Sequence, residues 1–112
     1  MRVLEFEVKQ QRIRKQPGCD FSHIVAGSNG YLQAKFNFSS EWDGCRKVAT
    51  FSGEQPEPET SVFLDENNCC EIPREALVGK SFDVFVTGAK KTLSSGTYLF
   101  QTSRMTVTQE VV

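Results

Sequence analysis

The chain lacks a charge excess of either sign, long apolar runs and, with one exception, histidine. Thirteen basic residues against 14 acidic ones in 112 leave a formal net charge of −1. A general nucleic-acid binder would carry a large positive excess, so we expect no direct nucleic-acid partner. No apolar run approaches the roughly 18 residues of a membrane span. Residues 1–5 are too charged and too short to open a secretory signal. We therefore expect neither a membrane partner nor secretion by a signal peptide.

Residue patterns that mark enzymes and metal sites are also scarce. His23 is the one imidazole, and it lies in a polar segment, where a surface role is favoured over that of a catalytic base. There is no Cys-x-x-Cys knuckle and no glycine-rich phosphate loop. The adjacent Cys69 and Cys70 would point to opposite faces of a strand. We predict no enzyme, no catalytic residue, no metal and no cofactor, and four free thiols: Cys19, Cys45, Cys69 and Cys70.

The length suits one domain with a core of its own. A chain of 112 residues, 38% of them hydrophobic, buries about two-thirds of its surface on folding. Neither an internal repeat nor a linker divides the sequence. We predict a single β-sandwich domain over residues 1–112, in which residues 1–19 form an N-terminal extension and the first strand.

Alternating apolar and polar residues predict strands. The clearest case follows the turn Asn29-Gly30, where every second residue is apolar from Leu32 to Phe38. Similar stretches lie at 4–8, 62–64, 70–72, 82–86, 98–101 and 105–111. The polar cluster 65–68 predicts a hairpin between two of them, and Gly88 is expected to close the strand 82–86.

Helical signal is confined to residues 73–78, where Pro73 suits a first helical position and Gly79 suits a stop. Seven or eight short strands, with turns about every 8–12 residues, predict an all-β fold. We expect an antiparallel, immunoglobulin-like β-sandwich with one short helical turn. The two prolines of residues 54–59 predict an exposed loop there.

One stretch is more specific than the rest. It is the run Phe36-Asn37-Phe38-Ser39-Ser40-Glu41-Trp42-Asp43-Gly44. With the strands around it, over residues 20–110, it resembles the small N-terminal β-domain of phage upper-baseplate and tail-fibre proteins from phages of Gram-positive bacteria. The chain also resembles related short prophage open reading frames.

The resemblance implies a function and a location. The expected protein is a non-enzymatic phage or prophage structural protein of the tail or baseplate. It would act through contacts with other phage structural proteins or with its own copies as a homo-oligomer. It would be found in the virion or in the cytoplasm of the infected or lysogenic bacterium.

The same run contains the predicted structural core. Trp42 follows a strand and precedes the tight turn Asp43-Gly44. Its ring is therefore placed to close one end of the sandwich. Burial of so large an aromatic side chain contributes several times what a methylene does. We predict that Trp42, Phe36 and Phe38 are core residues.

Three large residues fall out of phase with their strands. Phe63, Phe85 and Leu99 each stand between two neighbours assigned to the core. Because each sheet of a sandwich has one inner face, these three should point outward. Together with Tyr31 they are the candidate protein interface, since exposed apolar patches mark interaction sites. The alternative is that loop 54–59 or the N-terminal arm covers them.

Charge is unevenly placed along the chain. Residues 1–15 hold five basic and two acidic groups, and residues 54–75 hold seven acidic groups and one basic. Solvated sheet surfaces are the simpler explanation, but the asymmetry would also steer association. An alternative function follows from it, a small phage-encoded inhibitor that binds a host factor such as a defence nuclease. Its acidic stretch 54–75 would occupy a basic groove.

Overall fold

Nine strands in two sheets make up the computed structural model, which describes residues 1–54, 56–92 and 96–112. The predicted all-β sandwich is confirmed. The strands are β1 (Arg2–Lys9), β2 (Arg12–Lys15), β3 (Leu32–Phe38), β4 (Arg46–Ser52), β5 (Thr60–Phe63), β6 (Cys69–Glu71), β7 (Ser81–Thr92), β8 (Gly96–Gln101) and β9 (Met105–Thr108). Helical structure in the described residues is limited to the 3₁₀ turns Ser40–Trp42 and Arg74–Ala76. The second of these lies within the predicted helical turn.

The four-stranded sheet has the order β2-β1-β3-β6. Its two central strands, β1 and β3, run parallel, with Leu4 beside Ala34 and Phe6 beside Phe36. The expectation of antiparallel pairing is wrong for this pair. Parallel neighbours need a crossover connection, and here β2 and residues 16–31 return the chain to the end at which β1 begins. Residues 2–9 are thus a central strand, and the predicted N-terminal extension is built into the sandwich.

The five-stranded sheet has the order β5-β4-β7-β8, and β9 also pairs with β7. The 12-residue β7 is long enough to hold two partners on one edge. β9 pairs with its first part and β8 with its second. All pairs in this sheet are antiparallel.

The predicted hairpin around residues 65–68 is wrong in its pairing. The turn itself forms: the Asp65 carboxylate accepts the N–H groups of Asn67 and Cys69, at 2.8 and 2.9 Å. However, β5 pairs with β4 in one sheet, and β6 pairs with β3 in the other. The turn residues determine a local reversal of the chain, whereas long-range packing selects the partner of each strand.

Gly88 does not end its strand as expected, because β7 continues to Thr92. A Cβ atom at Gly88 would lie 2.7 Å from Cζ3 of Trp42 and 3.2 Å from Cε1 of Phe100. Glycine is therefore needed here for close approach of an indole ring to the backbone.

A series of aromatic rings in the core joins the two sheets. Trp42 and Phe36 are buried and Phe38 is partly buried, as the sequence predicts. Ring centroids are 5.1 Å apart between Phe38 and Trp42, and 4.3 Å apart between Trp42 and Phe100 on β8. The Trp42 Nε1–H donates to the carbonyl of Gln10 at 2.9 Å. Trp42 thus links β3, the β1–β2 turn and the five-stranded sheet.

Candidate functional site: the outer face of the five-stranded sheet

The outward side chains of β4, β5, β7, β8 and β9 form the outer face of the five-stranded sheet, which we call the neutral face. Strand register places these residues in rows across the sheet. Serine and threonine occupy nearly half of the positions. The charged positions among the described residues of these strands are Arg46 and Lys91 toward one end and Asp83 toward the other. The interior of the face is thus free of charged strand positions.

Three of the four residues of the predicted interface lie on this face. Phe63 is 65% exposed and shares a row with Val48 and Thr87. Leu99, 70% exposed, lies one row away on β8, opposite Ala89. Phe85 lies one row away in the other direction and is half-buried.

Tyr31 does not join them. It immediately precedes β3, in the four-stranded sheet, and its carbonyl accepts the backbone N–H of Arg2 at 3.0 Å. Its side chain is 52% exposed, so its exposure agrees with the prediction while its position does not. Alternation along a strand shows which residues point outward, but it does not show which sheet they belong to.

Sequence reasoning missed the remainder of the face, including Val48, Thr87 and Ala89. The signal was present in the strand patterns. Outward positions of residues 46–52 and 81–91 are mostly small, apolar or hydroxylated, whereas those of residues 3–9 are mostly charged. A comparison of the polar members of each strand, in addition to its apolar members, would have separated the two faces.

Two arginine side chains lie against the aromatic rings of the neutral face. The Arg46 guanidinium is 5.1 Å from the ring centroid of Phe63, and that of Arg104 is 4.7 Å from the ring centroid of Phe85. Arg104 is also paired with Glu59 at 3.4 Å. Phe85 is thus partly covered at the rim. Phe63 and Leu99 stay exposed in the described part of the chain, where residues 2–15 belong to the other sheet.

The acidic residues of the stretch 54–75 do not gather on one surface. Asp65 and Glu66 line a depression at the start of β4, together with Arg46 and Lys47. Glu57 and Glu75 line another with Arg74, beyond the opposite end of β4. Each acidic pair therefore has a basic residue beside it, and the two pairs are separated by the length of a strand.

The polar groups that sequence analysis considered for chemistry lie elsewhere. His23 Nδ1 is 2.9 Å from Oε2 of Glu110, and both side chains are largely exposed. All four cysteines are free. Burial raises the pKa of the Cys70 thiol to about 12, with smaller contributions from Cys69 and Asp65. The Cys70 thiol is therefore protonated at neutral pH.

The described residues contain neither a metal-binding cluster nor a membrane-spanning helix. Within 1–54, 56–92 and 96–112, no group of three or more histidine, cysteine, aspartate and glutamate side chains is arranged to hold a metal ion. Over the same ranges, no helix has the length and apolar character to cross a membrane.

The comparisons with known proteins add no relative. No family model matches this chain, and no curated protein matches it with significance.

Proposed function

We propose that this chain is a non-enzymatic phage or prophage structural protein, associated with the tail or baseplate, which acts through protein–protein contacts of its neutral face. The observation that carries the proposal is the exposure of Phe63 and Leu99 on a sheet face whose charges stand toward its ends. Burial of exposed apolar surface drives most protein association. Large apolar side chains exposed on one face mark an interaction site when they form a patch.

The assignment to phage particles is supported by the resemblance of residues 36–44 to the N-terminal β-domain of upper-baseplate and tail-fibre proteins. In this chain the run contributes a buried ring, Trp42, which contacts Phe100 of the five-stranded sheet. A scaffold with one sheet face whose few charges stand toward its ends suits a part that is repeated within a larger assembly.

The second candidate function is a phage-encoded inhibitor of a host factor such as a defence nuclease. It depends on residues 54–75 presenting a single acidic surface to a basic groove. Asp65 and Glu66 lie at one end of β4, beside Arg46 and Lys47. Glu57 and Glu75 lie beyond the other end, beside Arg74. This separation favours the structural role.

The test is the composition of purified phage particles from a bacterium that encodes the chain, measured by quantitative mass spectrometry. We expect the wild-type chain at a fixed ratio to the tail proteins. The variant Phe63→Glu should be folded yet absent from particles. The matched variant Tyr31→Glu, which alters an exposed aromatic residue on the other sheet, should be incorporated normally. Absence of the wild-type chain from particles, with recovery on a soluble host protein, would contradict the proposal and support the inhibitor.

A further inference from the structure

We propose that the neutral face is the contact between two copies of this chain, packed face to face about a two-fold axis at Thr87. The inference rests on the proposed function, because it names the partner that the neutral face meets. The spacing of charge along β7 carries it.

Asp83 and Lys91 stand at equal distances on either side of Thr87. Each is four residues away, or about 13 Å along an extended strand. Four is an even number, so all three side chains point to the same face of the sheet, as the register of β7 with its neighbours shows. On this face β7 therefore carries one negative and one positive position, which are symmetric about the row of Thr87.

A two-fold axis along that middle row makes the face complementary to itself. The axis reverses the direction of β7 in the second copy, so Asp83 of each copy lies opposite Lys91 of the other. The alternative axis, parallel to β7, would place Asp83 opposite Asp83 and Lys91 opposite Lys91. Like charges across an interface are unfavourable, so charge selects the first arrangement.

The shapes of the side chains agree with the same axis. Phe85 lies two residues before Thr87 and Ala89 two residues after it, so the large ring of one copy faces the small side chain of the other. Phe63 and Val48 share the row of Thr87 and therefore meet their own counterparts across the axis.

The remaining cations also fit this arrangement. Arg46 lies in the row of Ala89 and so faces the row of Phe85, whose β4 member is Thr50. Arg104, at the end of the face that holds Asp83, is already paired with Glu59. In this arrangement, therefore, no two unpaired cations face each other across the interface.

The geometry of sheet packing permits these contacts. Aligned sheets pack about 10 Å apart with their strands crossed by about 30°. At about 13 Å from the axis, this crossing displaces opposed residues sideways by about 7 Å. The flexible four-carbon stem of lysine can span such a displacement.

The area of the face sets the expected strength of the dimer. The face is four strands wide and about nine residues long between Asp83 and Lys91, which gives about 20 by 30 Å, or about 600 Å². Stable interfaces bury about 600–1,000 Å² on each partner. The neutral face is at the small end of this range of areas. We therefore expect a weak dimer, which dissociates on dilution.

The test is the solution mass of the full chain, measured by sedimentation across a dilution series with reductant. The wild type should show a monomer–dimer equilibrium. The variants Asp83→Lys and Lys91→Asp each place like charges opposite one another twice, so each should weaken the dimer about tenfold or more. An equimolar mixture of the two variants should recover wild-type association, because both contacts of the mixed pair again join opposite charges.

Controls and outcomes separate the alternatives. Lys35→Asp alters an outward charge on the other sheet and should leave the dimer unchanged. Circular dichroism and thermal unfolding establish that every variant is folded. A wild-type monomer up to about 1 mM would overturn the proposal, as would a dimer that the mixture fails to restore. If the chain is monomeric in solution yet present in particles, the contact between copies is wrong and the proposed function stands.

Discussion

The two outer faces of the sandwich differ in chemistry although they enclose one core. On the four-stranded sheet the outward positions of β1 and β2 are mostly charged, and Glu7 pairs with Arg14 at 2.6 Å. On the five-stranded sheet the equivalent positions are mostly serine, threonine, alanine and apolar residues, with Arg46, Asp83 and Lys91 toward the ends. Charged outward residues keep a sheet face solvated. Their scarcity on one face is the basis of our proposal that this face binds a partner.

The edge strands repeat the contrast. β2 carries Arg12, Arg14 and Lys15 among its four residues. Charged side chains of this kind prevent unwanted pairing of an exposed edge. β8 carries no charged residue in its six, and it contains Tyr98 and Leu99, both exposed. The edge strand β2 is thus protected by charge, whereas the edge strand β8 is not.

The largest expected effect is on the dissociation constant of the proposed dimer, when a charged residue replaces an apolar one on the neutral face. Phe63→Glu replaces an exposed ring that meets its counterpart across the proposed axis. Loss of about 1.5 kcal/mol of apolar burial in each copy weakens the dimer by about 100-fold. Tyr31→Glu, on the charged side, should leave the dissociation constant unchanged. Sedimentation of both variants checks this, and equal weakening by the two would remove the distinction between the faces.

The next effect compares the inner and outer sides of one strand. Gly88→Ala places a Cβ atom 2.7 Å from the Trp42 ring, so it should lower the free energy of unfolding by about 1–3 kcal/mol. Its neighbour Thr87 points outward, and Thr87→Val should change stability by less than about 0.5 kcal/mol. Urea denaturation measures both changes, at protein concentrations low enough for the chain to be monomeric. If Gly88→Ala instead lowers the free energy of unfolding only slightly, the indole ring of Trp42 can move away from the added methyl group.

A smaller effect concerns the ion pairs of the charged face. The Glu7 side chain is 17% exposed and that of Arg14 is 55% exposed, so water screens their attraction. A double-mutant cycle with Glu7→Gln and Arg14→Gln should give a coupling energy of about 0.2–1 kcal/mol. A coupling above about 2 kcal/mol would mean that this face stabilises the fold as well as keeping it solvated.

The smallest effect is a dependence on pH where the two sheets meet near Trp42. Hydrogen bonds from the Ser39 hydroxyl and then the Gln10 N–H lower the pKa of Glu41 below 4.5. A depressed folded-state pKa contributes stability above the unfolded-state pKa, and this contribution is lost as the pH falls through the folded-state pKa. Thermal unfolding between pH 7 and pH 2 should therefore show a gap between wild type and Glu41→Gln that closes in acid. A gap that stays constant would exclude this group as the cause.

Local features of the fold could be predicted from the sequence. The turn Asn29-Gly30 and the alternation after it locate β3 at Leu32–Phe38. The same period shows correctly that Phe63 and Leu99 point outward, and the place of Trp42 between a strand and a tight turn predicts its burial correctly. These properties depend on neighbours in the chain, because side-chain direction alternates along any strand.

Pairing between distant strands could not be predicted in this way. The parallel contact of β1 with β3, the separation of β5 from β6 and the position of Tyr31 depend on which sheet each strand joins. Many pairings satisfy the same alternation, and the packing of the whole core selects one of them. Gly88 was misread for a related reason: its neighbour, the ring of Trp42, is 46 positions away in the sequence.

The most direct test of the account is a series of ¹⁵N–¹H correlation spectra of the chain recorded during dilution. The account predicts that concentration-dependent shifts cluster on β4, β5 and β7, around Val48, Phe63 and Thr87. Amides of β1 and β2 should stay unchanged. Shifts centred on β1 and β2 instead would contradict the claim that the neutral face is the interaction surface. So would spectra that stay constant over a concentration range in which the solution mass of the chain changes.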